Sequence, residues 1–135
     1  NLARGIYPAI LTDRGLDAAL SALAARAPVP VDVEVDLPGD RPPAAVESIA
    51  YFVVAEALTN VAKYARATRA AVRVMRDNSW IIVEISDNGV GGATATPGGG
   101  LAGLADRAAG IDGILTVNSP VGGPTVVRAD LPSAW

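Results

Sequence analysis

Three groups of residues in this sequence have the types and spacing to do chemistry. Glu56, Asn60 and Lys63 stand at i, i+4 and i+7, which places all three on one stripe of a helix. The same stripe carries Ile49 and Val53 one or two turns earlier. A polar group on a buried stripe costs about 1–3 kcal/mol unless it finds a partner. A carboxylate, an amide oxygen and an ammonium in one line suit a hard cation and phosphates. The plainer arrangement is a helix end emerging into water, with Glu56 paired to Lys63 or Arg66.

The second group is Asp87-Asn88-Gly89-Val90-Gly91. Ile81, Val83 and Ile85 alternate along one strand face, and Asp87 is the next residue on it. Asn-Gly is a strong hairpin signal, but Gly91-Gly92-Ala93-Thr94-Ala95-Thr96-Pro97 is no return strand. A carboxylate left at the end of a core-facing stripe is an acceptor waiting for a donor. The exocyclic amine of adenine fits it, and the carbonyl of guanine does not. The third group is Gly98-Gly99-Gly100-Leu101-Ala102-Gly103-Leu104. Glycines let a backbone approach phosphates, and a helix start presents free N–H groups. Gly98, Gly100 and Gly103 also match G-x-G-x-x-G, but no strand precedes them, so the dinucleotide fingerprint lacks its context. A flexible linker running into a helix start has the same composition.

These groups need elements to hold them. Thr12-Asp13 opens a helix carrying Leu16, Leu20, Leu23 and Ala27, which Pro28 and Pro30 end. Val31, Val33 and Val35 alternate with Asp32, Glu34 and Asp36 in a half-buried strand. Pro42-Pro43 precedes the longest helix, which runs to about Ala65 and is apolar almost all round, so it should be largely buried. Strands follow at Ala67–Arg76 and Trp80–Ser86, then the glycine-rich stretch and a helix over Leu101–Ala109. The chain closes with strands at Ile114–Asn118 and Thr125–Leu131. Strands that follow one another without a helix imply antiparallel hairpins. The order predicts a mainly antiparallel mixed sheet with helices on one face, a two-layer α/β sandwich of the α+β kind.

Composition removes several classes. The 135 residues predict one domain, half hydrophobic, with a core of Ala, Val, Leu and Ile because aromatics are only 4%. Eleven basic against fourteen acidic residues leave a net charge of −3, which argues against a nucleic-acid partner. There is no cysteine and no histidine. Disulfides, thiol nucleophiles, His- or Cys-ligated metals, Ser-His-Asp triads and a phosphohistidine on this chain are all excluded. No apolar run approaches a membrane span, and no signal peptide opens the chain. The opening at Asn1 reads as that of a domain excised from a longer protein.

Taken in order, the three groups are similar to the boxes of sensor histidine kinases. Glu56-Ala57-Leu58-Thr59-Asn60-Val61-Ala62-Lys63-Tyr64-Ala65 resembles the N box, Asp87-Asn88-Gly89-Val90-Gly91 the first glycine box, and Gly98 to Arg107 the second. The likeness covers essentially the whole chain and is nearest to the nitrate-sensor/DesK-like subfamily in its actinobacterial, alanine-rich form. Gly5-Ile6-Tyr7-Pro8 through Leu16 resembles the linker and first helix after the dimerisation helices.

The resemblance implies the Bergerat ATP-binding fold, shared with gyrase and MutL, over residues 1–135, with 1–15 as linker. It implies ATP and Mg²⁺ as ligands. Asp87 would accept the adenine amino group, supported by Thr125. Asn60 would supply an oxygen to Mg²⁺, Lys63 would contact phosphate, and Glu56 would orient a water or assist proton removal. Gly89 and Gly91 would let the chain pass close to the nucleotide. Gly98, Gly99, Gly100 and Gly103 would flank the triphosphate, with Leu101 starting the helix. Val90 to Gly99 would form a short lid.

Two positions depart from the family pattern: Tyr64 where His is usual, and Pro124 in the loop before Thr125, where glycine is usual. The partners implied are a phosphoaccepting His on a dimerisation domain upstream and a response regulator. The domain would be cytoplasmic and monomeric, with no direct membrane contact, in a parent that can be membrane-anchored. Two other readings are a regulatory module that binds nucleotide without phosphotransfer, and a related serine kinase that inhibits a sigma factor.

Overall fold

A computed structural model describes residues 14–91 and 100–134. Its elements follow the predicted order: α1 (Leu16–Ala25), β1 (Val31–Asp36), α2 (Ala44–Asn60), β2 (Ala70–Asp77), β3 (Trp80–Asp87), α3 (Gly100–Gly110), β4 (Ile114–Asn118) and β5 (Thr125–Pro132). The strands form one sheet in the order β1-β2-β3-β5-β4. β1 and β2 are parallel, joined by the α2 crossover, and every other neighbouring pair is antiparallel. The mixed, mainly antiparallel sheet expected from the sequence is therefore the one observed.

Strand alternation decides where the core lies. Val72, Val74, Ile81, Val83, Ile85, Val127, Ala129 and Leu131 are buried on one face, against Leu16, Leu20, Val46, Val53, Val54, Leu101 and Leu104 of the three helices. The other face is largely polar. There Glu34, Arg73, Glu84 and Arg128 stand side by side on β1, β2, β3 and β5. Arg73 pairs with Glu34 at 3.2 Å, and Arg128 forks onto Asp130 at 2.8 and 3.1 Å.

α2 is apolar on nearly every side and largely buried, as expected, with only Ala44 and Thr59 of its residues exposed. Its fully buried residues, among them Val46, Ile49, Ala50, Val53, Val54 and Ala57, make a stripe on the sheet side. Tyr51 and Phe52 are half-buried; Phe52 meets Tyr51 edge to face and carries the Arg107 guanidinium of α3 at 5.6 Å. Ala44–Lys63 does reach the length and mean hydropathy, 20 residues at 1.3, that would let a helix cross a membrane. The run escapes a plain reading of the sequence because Glu47, Glu56 and Lys63 interrupt it. Here its apolar stripe packs on β3 and β5 as core.

The start of α2 is pinned by a charge pair. Glu47 is 4% exposed, and Arg41 reaches both its oxygens at about 3 Å. Removing the cation leaves a buried carboxylate uncompensated, which is the costly way to break such a pair. Arg41→Ala is expected to destabilise the domain by about 3 kcal/mol, the low end of that effect, since Arg41 is itself half exposed. Urea unfolding measures this; an unchanged midpoint would show that Glu47 is held by other groups.

Candidate functional site

Register assembles one end of the sheet. Ala70 begins β2, Asp87 ends β3 and Thr125 begins β5, and the three stand directly across from one another. Asp87 and Thr125 are 8% and 7% exposed, so the acid expected at the end of the core-facing stripe is indeed inside. Asp87 Oδ1 accepts the Gly89 N–H at 2.8 Å, which closes a local turn. Its second oxygen has no hydrogen-bond partner among the described residues. Thr125 Oγ1 shares a hydrogen bond of 2.6 Å with Ser119 Oγ.

Beside this pair, two loops lock together through glycines. Gly91 has φ +69° and Gly123 φ +78°, a region that side chains rarely tolerate. A Cβ on Gly91 would lie 1.8 Å from the Pro120 carbonyl oxygen, and one on Gly123 would lie 1.9 Å from that of Gly89. The Gly122 N–H donates to the Val90 carbonyl at 2.7 Å. The first glycine box is thus fitted backbone-to-backbone against the 119–124 loop. The close approach read into Gly89 and Gly91 has, in the described structure, the protein's own chain as its partner. Pro124 follows Gly123 through a cis peptide.

The end of α2 carries the polar trio. The helix is α-helical to Asn60 and continues as a π-helical turn over Val61–Ala65, and Arg66 then takes a left-handed conformation at φ 53°. Glu56 and Asn60 are half-buried and Lys63 is exposed. Among the described residues none of the three side chains has a hydrogen bond or ion pair, so the pairing of Glu56 with Lys63 or Arg66 does not form. Only residues 66–69 separate this turn from Ala70, the strand neighbour of Asp87.

Asn88 fastens that connector. Its Oδ1 accepts the N–H groups of Thr68 and Arg69 at 2.9 and 3.2 Å, and its Nδ2 donates to Thr68 Oγ1 at 2.8 Å. Its own N–H donates to the Arg69 carbonyl at 3.4 Å. Reading Asn88-Gly89 as a turn signal missed this, because the partners lie 19 and 20 residues earlier. The role of Ser119, and that of Gly123 against Gly89, were missed likewise; the glycine pair Gly122-Gly123, read only as part of the family's loop before Thr125, was the available signal.

α3 begins at Gly100 and runs from the Asp87 end toward the start of β4 at the opposite end, where Ile114 faces Asp130. Leu101 is buried, and Gly103 is exposed with open space where its Cβ would be. Packing among the described residues therefore does not require a glycine at 103. Gly98 and Gly99, and the expected lid beyond Gly91, lie outside the described residues, as does the linker over 1–13.

The donor set suits one kind of cation. Among the described residues no three acids gather closely enough to cage a metal. Glu56 and Asn60 do offer side-chain oxygens without partners among those residues. One or two protein oxygens completed by substrate phosphates is how Mg²⁺ is usually held.

No protein-family model matches the chain. Over 93% of its length it is 33% identical to the sensor histidine kinase MctS of Rhizobium johnstonii. Over 98% it is 31% identical to the oxygen sensor histidine kinase NreB of Staphylococcus carnosus. It spans 29% and 40% of those proteins. The histidine kinase domain of the Erythrobacter litoralis blue-light activated histidine kinase superposes with a TM-score of 0.59 at 22% identity, covering 89% of this chain and 58% of that one. The Acinetobacter baumannii histidine kinase AdeS gives 0.61 at 17%, covering 87% and 61%. Both solved structures share the fold described above.

Proposed function

The chain belongs to the sensor histidine kinases, and from that premise we propose that it binds Mg²⁺·ATP and presents the γ-phosphoryl group to a histidine outside this sequence. We take residues 1–135 as one ATP-binding domain, with 1–15 as linker. The single observation that carries the reading is Asp87: a buried carboxylate with one oxygen unpartnered among the described residues, at the sheet end to which the Asn60–Lys63 turn is tied.

Phosphoryl transfer asks a protein mainly for positioning and charge neutralisation. Asp87 accepts the adenine amino group, and Thr125 beside it completes that contact. Asn60 offers its amide oxygen, Lys63 its ammonium to phosphate, and Glu56 orients water or takes a proton. Magnesium, when bound, neutralises charge on the phosphates. The start of α3 at Gly100 and Leu101 faces the triphosphate, with Gly98, Gly99 and Gly103 around it. In the transfer the bond from Pγ to the bridging oxygen breaks, a bond from Pγ to a histidine nitrogen forms, and ADP leaves. That histidine belongs to a dimerisation domain upstream, and a response regulator receives the group next. The domain works in the cytoplasm, whether or not its parent is anchored in a membrane.

Calorimetric titration of the 135-residue chain with ATP, with and without Mg²⁺, tests the reading. The chain should bind ATP more tightly with Mg²⁺. Asn60→Ala should remove most of that Mg²⁺ enhancement, about tenfold in affinity for a lost contact to a charged group, while adenosine binding stays within twofold. Equal losses with and without Mg²⁺ would take Asn60 out of the metal site. No binding of ATP at all would end the proposal.

A further inference from the structure

Asn88 belongs to no ligand contact in the function proposed above, yet its side chain makes three hydrogen bonds at this end of the sheet. The amide uses its oxygen twice and its nitrogen once, and all three bonds go to Thr68 and Arg69. The two N–H donors also determine which terminal atom is the oxygen. We infer that Asn88 is a positioning residue. It sets the distance between the phosphate-and-metal half of the site, on the α2 end, and the base half, at Asp87.

The inference rests on how each half is otherwise held. Asp87 needs no help from Asn88. It is paired in register to Ala70 on one side and to Thr125 on the other, and its own oxygen takes the Gly89 N–H. The connector is different. After the π-helical turn the chain passes through a left-handed Arg66 and reaches β2 only at Ala70. Ala67 is half-buried and Arg66, Thr68 and Arg69 are exposed, so little core packing holds the stretch. Among the described residues, the hydrogen bonds that tie Thr68 and Arg69 across to the sheet end all run to Asn88. Asn60 and Lys63 sit immediately upstream of this stretch, so slack in the connector becomes uncertainty in where their side chains stand relative to a base held by Asp87. A contact misplaced by an ångström weakens sharply.

This inference depends on the nucleotide reading, and its test separates the two. Adenosine and Mg²⁺·ATP are titrated calorimetrically against the 135-residue chain and three variants. Asn88→Ala should weaken Mg²⁺·ATP about tenfold and leave adenosine within twofold. Asn88→Asp should restore most of the loss, because the carboxylate keeps the two acceptor bonds and the Thr68 hydroxyl can turn to donate to it. Thr68→Val, which removes only the hydroxyl partner, should show a smaller loss of the same kind. Hydrogen exchange supplies a readout independent of ligand: the Thr68 and Arg69 amides should exchange faster in Asn88→Ala, while the Gly89 amide keeps its protection. If Asn88→Ala fails to fold, the Asp and Val variants carry the comparison. Equal losses of adenosine and Mg²⁺·ATP, or Mg²⁺·ATP affinity unchanged in Asn88→Ala, would overturn the positioning role. Failure of the unaltered chain to bind either ligand would instead overturn the nucleotide reading, and this inference with it.

Discussion

Asp87→Asn is expected to weaken ATP binding by about 10- to 100-fold, and to erase most of the preference for ATP over GTP. The substitution is nearly isosteric. The amide oxygen can still accept the Gly89 N–H that Asp87 Oδ1 accepts at 2.8 Å, so the turn survives. What disappears is the charged second acceptor, which has no partner among the described residues. A hydrogen bond to a charged group is worth about 1.5–3 kcal/mol, and each 1.4 kcal/mol is tenfold in affinity. The asparagine instead presents N–H donors to an adenine amine that is itself a donor. Guanine offers a carbonyl at that position and gains where adenine loses. Titration of both nucleotides against both proteins decides this. ATP affinity unchanged by the substitution would remove Asp87 from base recognition and leave its burial to be explained by the fold.

Gly123→Ala is expected to destabilise the domain by about 3 kcal/mol or more, summing the cost of a left-handed side-chain residue with that of overpacking against fixed backbone. The new Cβ meets the Gly89 carbonyl oxygen, 1.9 Å away, and a carbonyl in the middle of the first glycine box has no rotamer to escape into. Gly122→Ala is the control. Gly122 has φ +95° but, among the described residues, nothing within 4 Å of where a Cβ would stand, so it carries the conformational cost alone, about 1–2 kcal/mol. Urea unfolding of the two variants compares them. Equal losses would mean that the two loops do not press on one another as described.

Element order and sheet character were legible because strand alternation and proline and glycine punctuation are local signals. Val31 to Asp36 and Trp80 to Asp87 alternate as strands should. Two things were not local. β2 starts at Ala70 rather than Ala67, and Asn88, far along the chain, holds Thr68 and Arg69 just before it as a connector. Lys63 leaves the stripe of Glu56 and Asn60 because that stripe presumes uniform α-winding. From Val61 the turn is π-helical, takes more residues per revolution, and shifts the phase of everything after it. Of the candidate site, Asp87 was found by face and Thr125 by the resemblance, and register brought them together. The glycine clasp was unreadable because both of its halves look like ordinary loops until they are placed side by side.

The solvent side of the sheet has a bearing on the binding side. Glu34, Arg73, Glu84 and Arg128 form an unbroken alternation of sign across four strands, and neighbours of opposite charge each favour their alignment by a few tenths of a kcal/mol. Slippage of β3 by two positions would preserve every inward-facing valine and isoleucine, so the core polices it only weakly. It would, however, separate these charges, and with them move Asp87 out of line with Thr125. The outward residues, remote from any ligand, therefore act as a vernier for the pair that would meet the base.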